Sequence, residues 1–152
     1  MVITRTPFRI SLFGGSTDYK SFYSKHGSLL IGSSIQQYMY LAIQHRHDIC
    51  GEESIFNYSK QERVKNHLDL QHPVLRAVFK YYSKRVAMSL FADVPARTGL
   101  GGSSTFSVGL LHALKRLDGI PGEAISRKSL AWETIQLERE TLNEAGGIQD
   151  QI

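Results

Sequence analysis

The chain has 152 residues, enough for one domain with a sizeable core, and its composition of 41% hydrophobic and 21% charged residues is that of an ordinary globular protein. Its 18 Lys and Arg against 14 Asp and Glu give a net charge of +4, which suits a phosphorylated ligand and is too mild to indicate nucleic acid. A single cysteine, Cys50, excludes an internal disulfide framework. With no basic-then-apolar leader and no apolar run of membrane-spanning length, the expectation is a cytoplasmic protein.

Met1 to Phe13 reads as a strand, with Phe8, Ile10 and Leu12 alternating with Arg9 and Ser11, so that one face is apolar and the other carries a guanidinium. Pro7 predicts an edge position or a bulge. Gly14 to Asp18 is a turn, followed by the aromatic and basic segment Tyr19 to Tyr23. Taken alone, Arg9 and Asp18 are as readily solvated polar residues as functional ones. Leu29 to Ile35 and Tyr38 to His45 read as two further strands, the second with Met39, Leu41 and Ile43 on one face. His45 and His47 share a face, but without a third ligand nearby they read as a surface pair rather than a metal site. Ser54 to Tyr58 reads as a short strand, and Lys60 to Gln71 is too polar to assign. His72 to Lys84 has the apolar spacing of a helix in Val74, Leu75, Val78, Phe79 and Tyr82.

The most informative stretch comes next. A strand-like run, Val86 to Val94, leads into Pro95-Ala-Arg-Thr-Gly-Leu-Gly-Gly-Ser-Ser-Thr105, after which Phe106, Leu110, Ala113, Leu114 and Leu117 recur at helical spacing. Gly99, Gly101 and Gly102 permit positive φ and close approach to a ligand, and the hydroxyls of Ser103 and Ser104 follow at once. Unpaired backbone N–H groups and the positive end of a helix would converge there, which describes an anion site, and a nucleotide phosphate is the expected anion. The alternative is a Gly-Ser connection with no ligand. A Walker loop is excluded because no lysine follows the glycines. A dinucleotide fingerprint is excluded because Ser104 stands where its third glycine belongs and helix, not strand, follows downstream.

After Ile120-Pro-Gly122 the spacing predicts a last helix over Glu123 to Asn143. Ala131, Ile135, Glu138 and Leu142 fall on one stripe, which puts a carboxylate on an otherwise apolar face. Such a group costs several kcal/mol unless it is paired or metal-bound, on the order of the penalty for any buried charge. An ion pair at the edge of the core and a Mg²⁺ ligand facing the phosphate loop both satisfy it. The chain closes on Gly146-Gly-Ile-Gln-Asp-Gln-Ile152, a loop-like stretch that reads as part of a longer protein.

Three segments, Arg5 to Tyr19, the glycine loop, and Gly147-Ile-Gln-Asp-Gln151, occur in the order seen in the small-molecule kinases grouped as galactokinase, homoserine kinase, mevalonate kinase and phosphomevalonate kinase, the GHMP kinases. The chain resembles that family over essentially its whole length and, within it, the bacterial D-glycero-D-manno-heptose 7-phosphate kinases. The resemblance implies an α+β fold, ribosomal S5 domain 2-like, with a mixed sheet and packed helices, residues 1–152 forming the N-terminal domain and a C-terminal domain being absent. It implies ATP and Mg²⁺ as cofactors, a sugar or sugar phosphate as substrate, and neither nucleic acid nor membrane as partner. Asp150 would take the place of the catalytic aspartate and Arg9 that of the arginine polarising the attacking hydroxyl. Pro95, Gly99, Leu100, Gly101, Gly102, Ser103 and Ser104 would bind the nucleotide, and Asp18 with Gly15, Ser16 and Tyr19 the sugar. Ser103 and Glu138 would hold Mg²⁺. The usual loop reads Gly-Leu-Gly-Ser-Ser, and here Gly102 replaces its first serine.

Two other functions are compatible with the same residues. One is a shortened relative that binds nucleotide or sugar without catalysis. The other is an RNA-binding module of S5-like fold, which needs a clustered basic face, whereas Lys and Arg here are scattered.

Overall fold

The structure is a computed structural model that describes residues 1–47, 49, 51–141 and 147–151; Cys50, Leu142, Asn143, Gly146 and Ile152, named above, lie outside them. Among the described residues, strands β1 (Val2–Phe13), β2 (Ile31–His45), β3 (Ser54–Asn57), β4 (Gln61–Val64) and β5 (Val86–Ala92) form one sheet in the order β1-β2-β5-β3-β4. β3 and β5 are parallel and the other pairs antiparallel, so the sheet is mixed. Four α-helices accompany it among those residues: α1 (Lys20–His26), α2 (Pro73–Phe79), α3 (Gly102–Leu117) and α4 (Arg127–Gln136). No helix among the described residues is long and apolar enough to cross a membrane.

β1 is an edge strand, and its pairing with β2 shifts register between Pro7 and Arg9, as the proline predicts. Proline has no N–H to give the ladder, so the interruption falls beside it. Pro7 pairs with Tyr38 but Arg9 with Ser34, so β2 absorbs extra residues opposite Phe8. The two strands expected over 29–35 and 38–45 are therefore one 15-residue strand with an irregularity in its pairing. Nothing in Gln36-Gln37 can end a strand, since neither glycine nor proline is present. The expected alternation of β1 also fails at its far end, where Leu12 is exposed although Phe8 is buried.

The core lies between the sheet and α2 and α3, with Leu41, Ile43, Phe56, Leu70, Leu75, Phe79, Val86, Met88 and Leu110 fully or almost fully buried. Each such side chain contributes about 1.5–3 kcal/mol by leaving water. Phe56 and Phe79 add an edge-to-face contact at 5.0 Å. α3 can lie close on β1 because of Gly109, where a Cβ would meet Thr6 Oγ1 at 2.8 Å, while Thr4 Oγ1 donates to the Gly109 carbonyl at 3.1 Å.

The stretch from 60 to 71, left unassigned above, contains β4 and a 3₁₀ turn at His67–Asp69. Its order comes from a buried carboxylate that no hydrophobic pattern reveals. Glu62 accepts from Tyr58 Oη at 2.5 Å and from the Gln71 backbone N–H at 2.7 Å. α2 is shorter than the expected 72–84, beginning at Pro73 and ending at Phe79. Beyond it Tyr82 turns back, its hydroxyl donating to Asp118 at 2.9 Å and its ring stacking on His45. α4 also differs from the expected 123–143. Residues Gly122–Ala124 form a 3₁₀ turn, Ser126 caps α4, accepting from Ser129 N at 3.4 Å, and the helix widens after Gln136 into a π-helical turn, Leu137–Thr141.

Candidate active site

The glycine loop joins the end of β5 to the start of α3 and is exposed from Pro95 to Gly99. Gly99 and Gly101 have φ of 75° and 77°, values that a side chain would strain, and Gly101 is the N-cap of α3. Arg97 shares that region at φ 67° with no glycine to relieve it. No side chain caps α3, so the N–H groups of its first turn face outward at the positive end of a 16-residue helix. Ser103 is exposed in that turn, whereas Ser104 and Thr105 are buried. Gly102 packs against Phe8, where a Cβ would come within 3.6 Å of the ring.

Arg9, which follows the register shift between β1 and β2, reaches this loop. Its backbone N–H donates to the Leu100 carbonyl at 3.3 Å and its Nη1 to the Gly99 carbonyl at 3.0 Å. Its Nε donates to Asp150 Oδ1 at 2.5 Å, and Nη2 forms an ion pair with the same oxygen. One guanidinium thus joins the phosphate-type loop to a carboxylate 141 positions away. The Arg9 side chain packs on Gly101, where a Cβ would lie in contact with Arg9 Cγ and Nε at 3.4 Å. The pair is about one-quarter exposed, so a ligand can reach it.

Asp150 is carried by the segment Gly147–Gln151, which is fastened at several points. Asp18, buried in the turn after β1, accepts from the Gln149 backbone N–H at 3.1 Å. A methyl group on Gly147 would overlap the Asp18 carboxylate, so that residue is glycine for a steric reason. Ser11 Oγ donates to Gln149 Oε1 at 2.8 Å. Gln151 Nε2 donates to Ser104 Oγ at 2.9 Å and to Glu138 Oε2 at 2.5 Å, while Ser104 Oγ donates to that same oxygen at 3.1 Å.

The structure therefore brings Arg9, Asp150, Gly99, Leu100 and Gly101 together, and Asp18, Ser104 and Glu138 onto the flanks of the same segment. Glu138 is buried with Ala131 and Ile135, as the stripe predicts, but its serine partner here is Ser104 rather than Ser103. Gly15, Ser16 and Tyr19 lie in or beside the exposed turn, with Ser16 at φ 70°. Gly14 is required in that turn because a Cβ would overlap the Leu29 carbonyl. Beside it Phe13 and Leu29 are 70% and 82% exposed, an open apolar rim. Ser11 carried no signal of its own in the sequence, and Gly147, Gln149 and Gln151 stood out there only as members of the motif around Asp150. Two glutamines flanking an aspartate in a glycine-containing segment were the available signal.

Among the described residues no group of three or more His, Cys, Asp or Glu is placed to hold a metal ion, so a divalent cation here would draw on fewer side chains. The carboxylate of Glu138 and the serine hydroxyls of the adjoining turn of α3 are hard oxygen ligands, the kind Mg²⁺ takes.

Comparison with known proteins places these features in context. Residues 66–152 match the model of the GHMP kinases N terminal domain. The chain is 30% identical, over 97% of its length, to the D-glycero-alpha-D-manno-heptose 7-phosphate kinase of Campylobacter jejuni, of which it covers 46%. A D-glycero-D-manno-heptose 1-phosphate kinase from Bacteroides thetaiotaomicron superposes with a TM-score of 0.82 at 24% identity, over 99% of this chain and 52% of that one. The mevalonate kinase of Methanococcus jannaschii superposes with a TM-score of 0.74 at 18% identity, over 99% and 49%. The chain thus spans about half the length of the relatives it matches. These likenesses agree with the expected α+β, ribosomal S5 domain 2-like fold.

Proposed function

The chain belongs to the GHMP kinases through their N-terminal domain, and on that premise we propose that it supplies the nucleotide-binding half of an enzyme that phosphorylates a hydroxyl of a sugar or sugar phosphate with ATP. The first-choice reaction converts D-glycero-D-manno-heptose 7-phosphate to the 1,7-bisphosphate, in keeping with the heptose-phosphate kinases among its relatives. The observation that carries the reading is the Arg9 bridge between the glycine loop and Asp150.

Phosphoryl transfer has a loose transition state, so the protein's work is positioning and neutralising charge. The outward N–H groups of the loop and of the first turn of α3 receive the nucleotide phosphates. Asp150 receives, or steers electrostatically, the proton of the attacking hydroxyl, and Arg9 holds that carboxylate in place and polarises the nucleophile. Asp18, Gly15, Ser16 and Tyr19 border the side from which the sugar approaches. Glu138, with Ser103 in the exposed turn, would hold Mg²⁺, which when bound neutralises charge on the phosphate oxygens.

A coupled ADP-release assay with a panel of sugars and sugar phosphates tests this, run on the 152-residue chain and on a form extended to the length of its relatives. Turnover that depends on a sugar phosphate is expected from the extended form and none from the 152 residues alone, because the open apolar rim leaves the sugar hydroxyl without walls to hold it in line. Nucleotide binding without turnover in both forms would favour a binding protein. Turnover of the shorter form within tenfold of the longer would show that this half suffices.

A further inference from the structure

Gln151 has no part in the chemistry just described, yet it is the point where three parts of the site meet. It is buried, it follows Asp150 directly in the chain, and its single amide nitrogen serves both Ser104 at the start of α3 and Glu138 in the π-helical turn after α4. The donors are unambiguous. Gln151 Nε2 has two protons, one for each oxygen, and Ser104, accepting from Gln151, gives its own proton to Glu138 Oε2. Reversing the amide would set its oxygen against a carboxylate, so Glu138 dictates its orientation. The consequence is visible at the other end of the group, where Gln151 Oε1 is buried with no hydrogen-bond partner among the described residues. Leaving such an acceptor unpaired is unfavourable, and the charge-assisted bond to Glu138 offsets it.

We propose that Gln151 is a positioning residue that fixes the carboxylate of Glu138 and the hydroxyl of Ser104 from behind, and so couples the divalent-cation position to the placement of Asp150. This rests on the reading of Glu138 as a cation ligand. Because Gln151 and Asp150 are consecutive, an amide shifted by a change at Glu138 moves the backbone that presents the carboxylate to Arg9. Conversely, a cation at Glu138 finds that side chain already held in one rotamer.

The test uses the 152-residue chain with Mn²⁺ as the probe, its binding followed by water-proton relaxation, in the wild type, Glu138→Gln, Gln151→Met and the double variant. Methionine keeps the length and shape of glutamine and removes both N–H donors, so a packing role would survive it. Gln151→Met is expected to weaken Mn²⁺ binding about tenfold, the loss produced by one bond to a charged group, and to add nothing in the Glu138→Gln background. Wild-type affinity in Gln151→Met, with Glu138→Gln impaired, would overturn the role of Gln151 while leaving Glu138 as the ligand. Equal affinity in wild type and Glu138→Gln would overturn the reading of Glu138 and the inference with it. The wild type supplies a second measurement independent of any variant's folding. The side-chain amide protons of Gln151 should exchange slowly and shift when Mg²⁺ is added, and signals that do not move would also overturn the proposal.

Discussion

Replacing Gly147 by alanine probes how the Asp150 segment is held, without removing a charged or hydrogen-bonding side chain. The added methyl group would overlap the carboxylate of Asp18, which is buried and engaged with the Gln149 N–H. Forcing an extra methyl into a packed site costs about 1–3 kcal/mol. If Asp18 swings aside instead, the bond to Gln149 is lost, and a hydrogen bond to a charged group contributes about 1.5–3 kcal/mol. The segment can avoid both penalties by undocking locally, so the global loss is capped by the free energy that docks residues 147–151. The expected result is a fall in Tm of only a few degrees, about 2–4 °C per kcal/mol for a chain of this size, with a large loss of hydrogen-exchange protection at the Gln149 amide. The double variant with Asp18→Ala should be little worse than Asp18→Ala alone, because the clashing partner is gone. Unchanged protection at Gln149 in Gly147→Ala would refute the steric account, and so would full additivity of the two substitutions.

Three further outcomes follow from the same contacts. In the chain extended to the length of its relatives, Asp150→Asn should lower kcat at least about a hundredfold, the lower end for lost acid–base function, with ATP affinity little changed in an equilibrium titration. Ser103→Ala and Ser104→Ala should each raise the Mg²⁺ requirement of that form, the first by removing the exposed hydroxyl of the first turn and the second by removing a donor that holds Glu138; a Mg²⁺ titration in which neither variant differs from the wild type would refute both roles. Burial alone would raise the Glu62 carboxyl above its ordinary value, but the bonds from Gln71, Tyr58 and His72 outweigh it and hold the folded-state value lower. The stability it adds is therefore fully present above the unfolded value near 4.5 and is lost as pH falls through the lower folded one, so Glu62→Gln should flatten the acid limb of a denaturation profile.

Much of the fold could be read from the sequence, because strand and helix announce themselves by period. Val86 to Ala92 and the helix after the glycine loop lie where alternation and 3.6-residue spacing put them. The errors fall where a polar group does the ordering. β4 is invisible to hydrophobic pattern because Glu62, not an apolar face, anchors it. α4 shifts into a π-helical turn that no simple period anticipates, although the burial of Glu138 is correct on either geometry. The glycine loop, Arg9 and Asp150 were each legible as motifs, yet their meeting is a tertiary contact across 141 positions of chain. The fastenings by Gln149 and Gln151 were hidden because neutral amides carry no charge pattern and gain meaning only from what they touch.

On the proposed function, the loop from Pro95 to Ser104 cradles nucleotide phosphates beside the Arg9–Asp150 pair. Backbone amide shifts of the ¹⁵N-labelled 152-residue chain, recorded while a non-hydrolysable Mg-ATP analogue is added, test it most directly. Gly99, Leu100, Gly101, Gly102 and Ser103 should shift most and together, Arg9 and Asp150 should follow, and β3 and β4 should stay still. Saturable binding whose shifts centre away from the loop, or no binding at millimolar nucleotide, would contradict it.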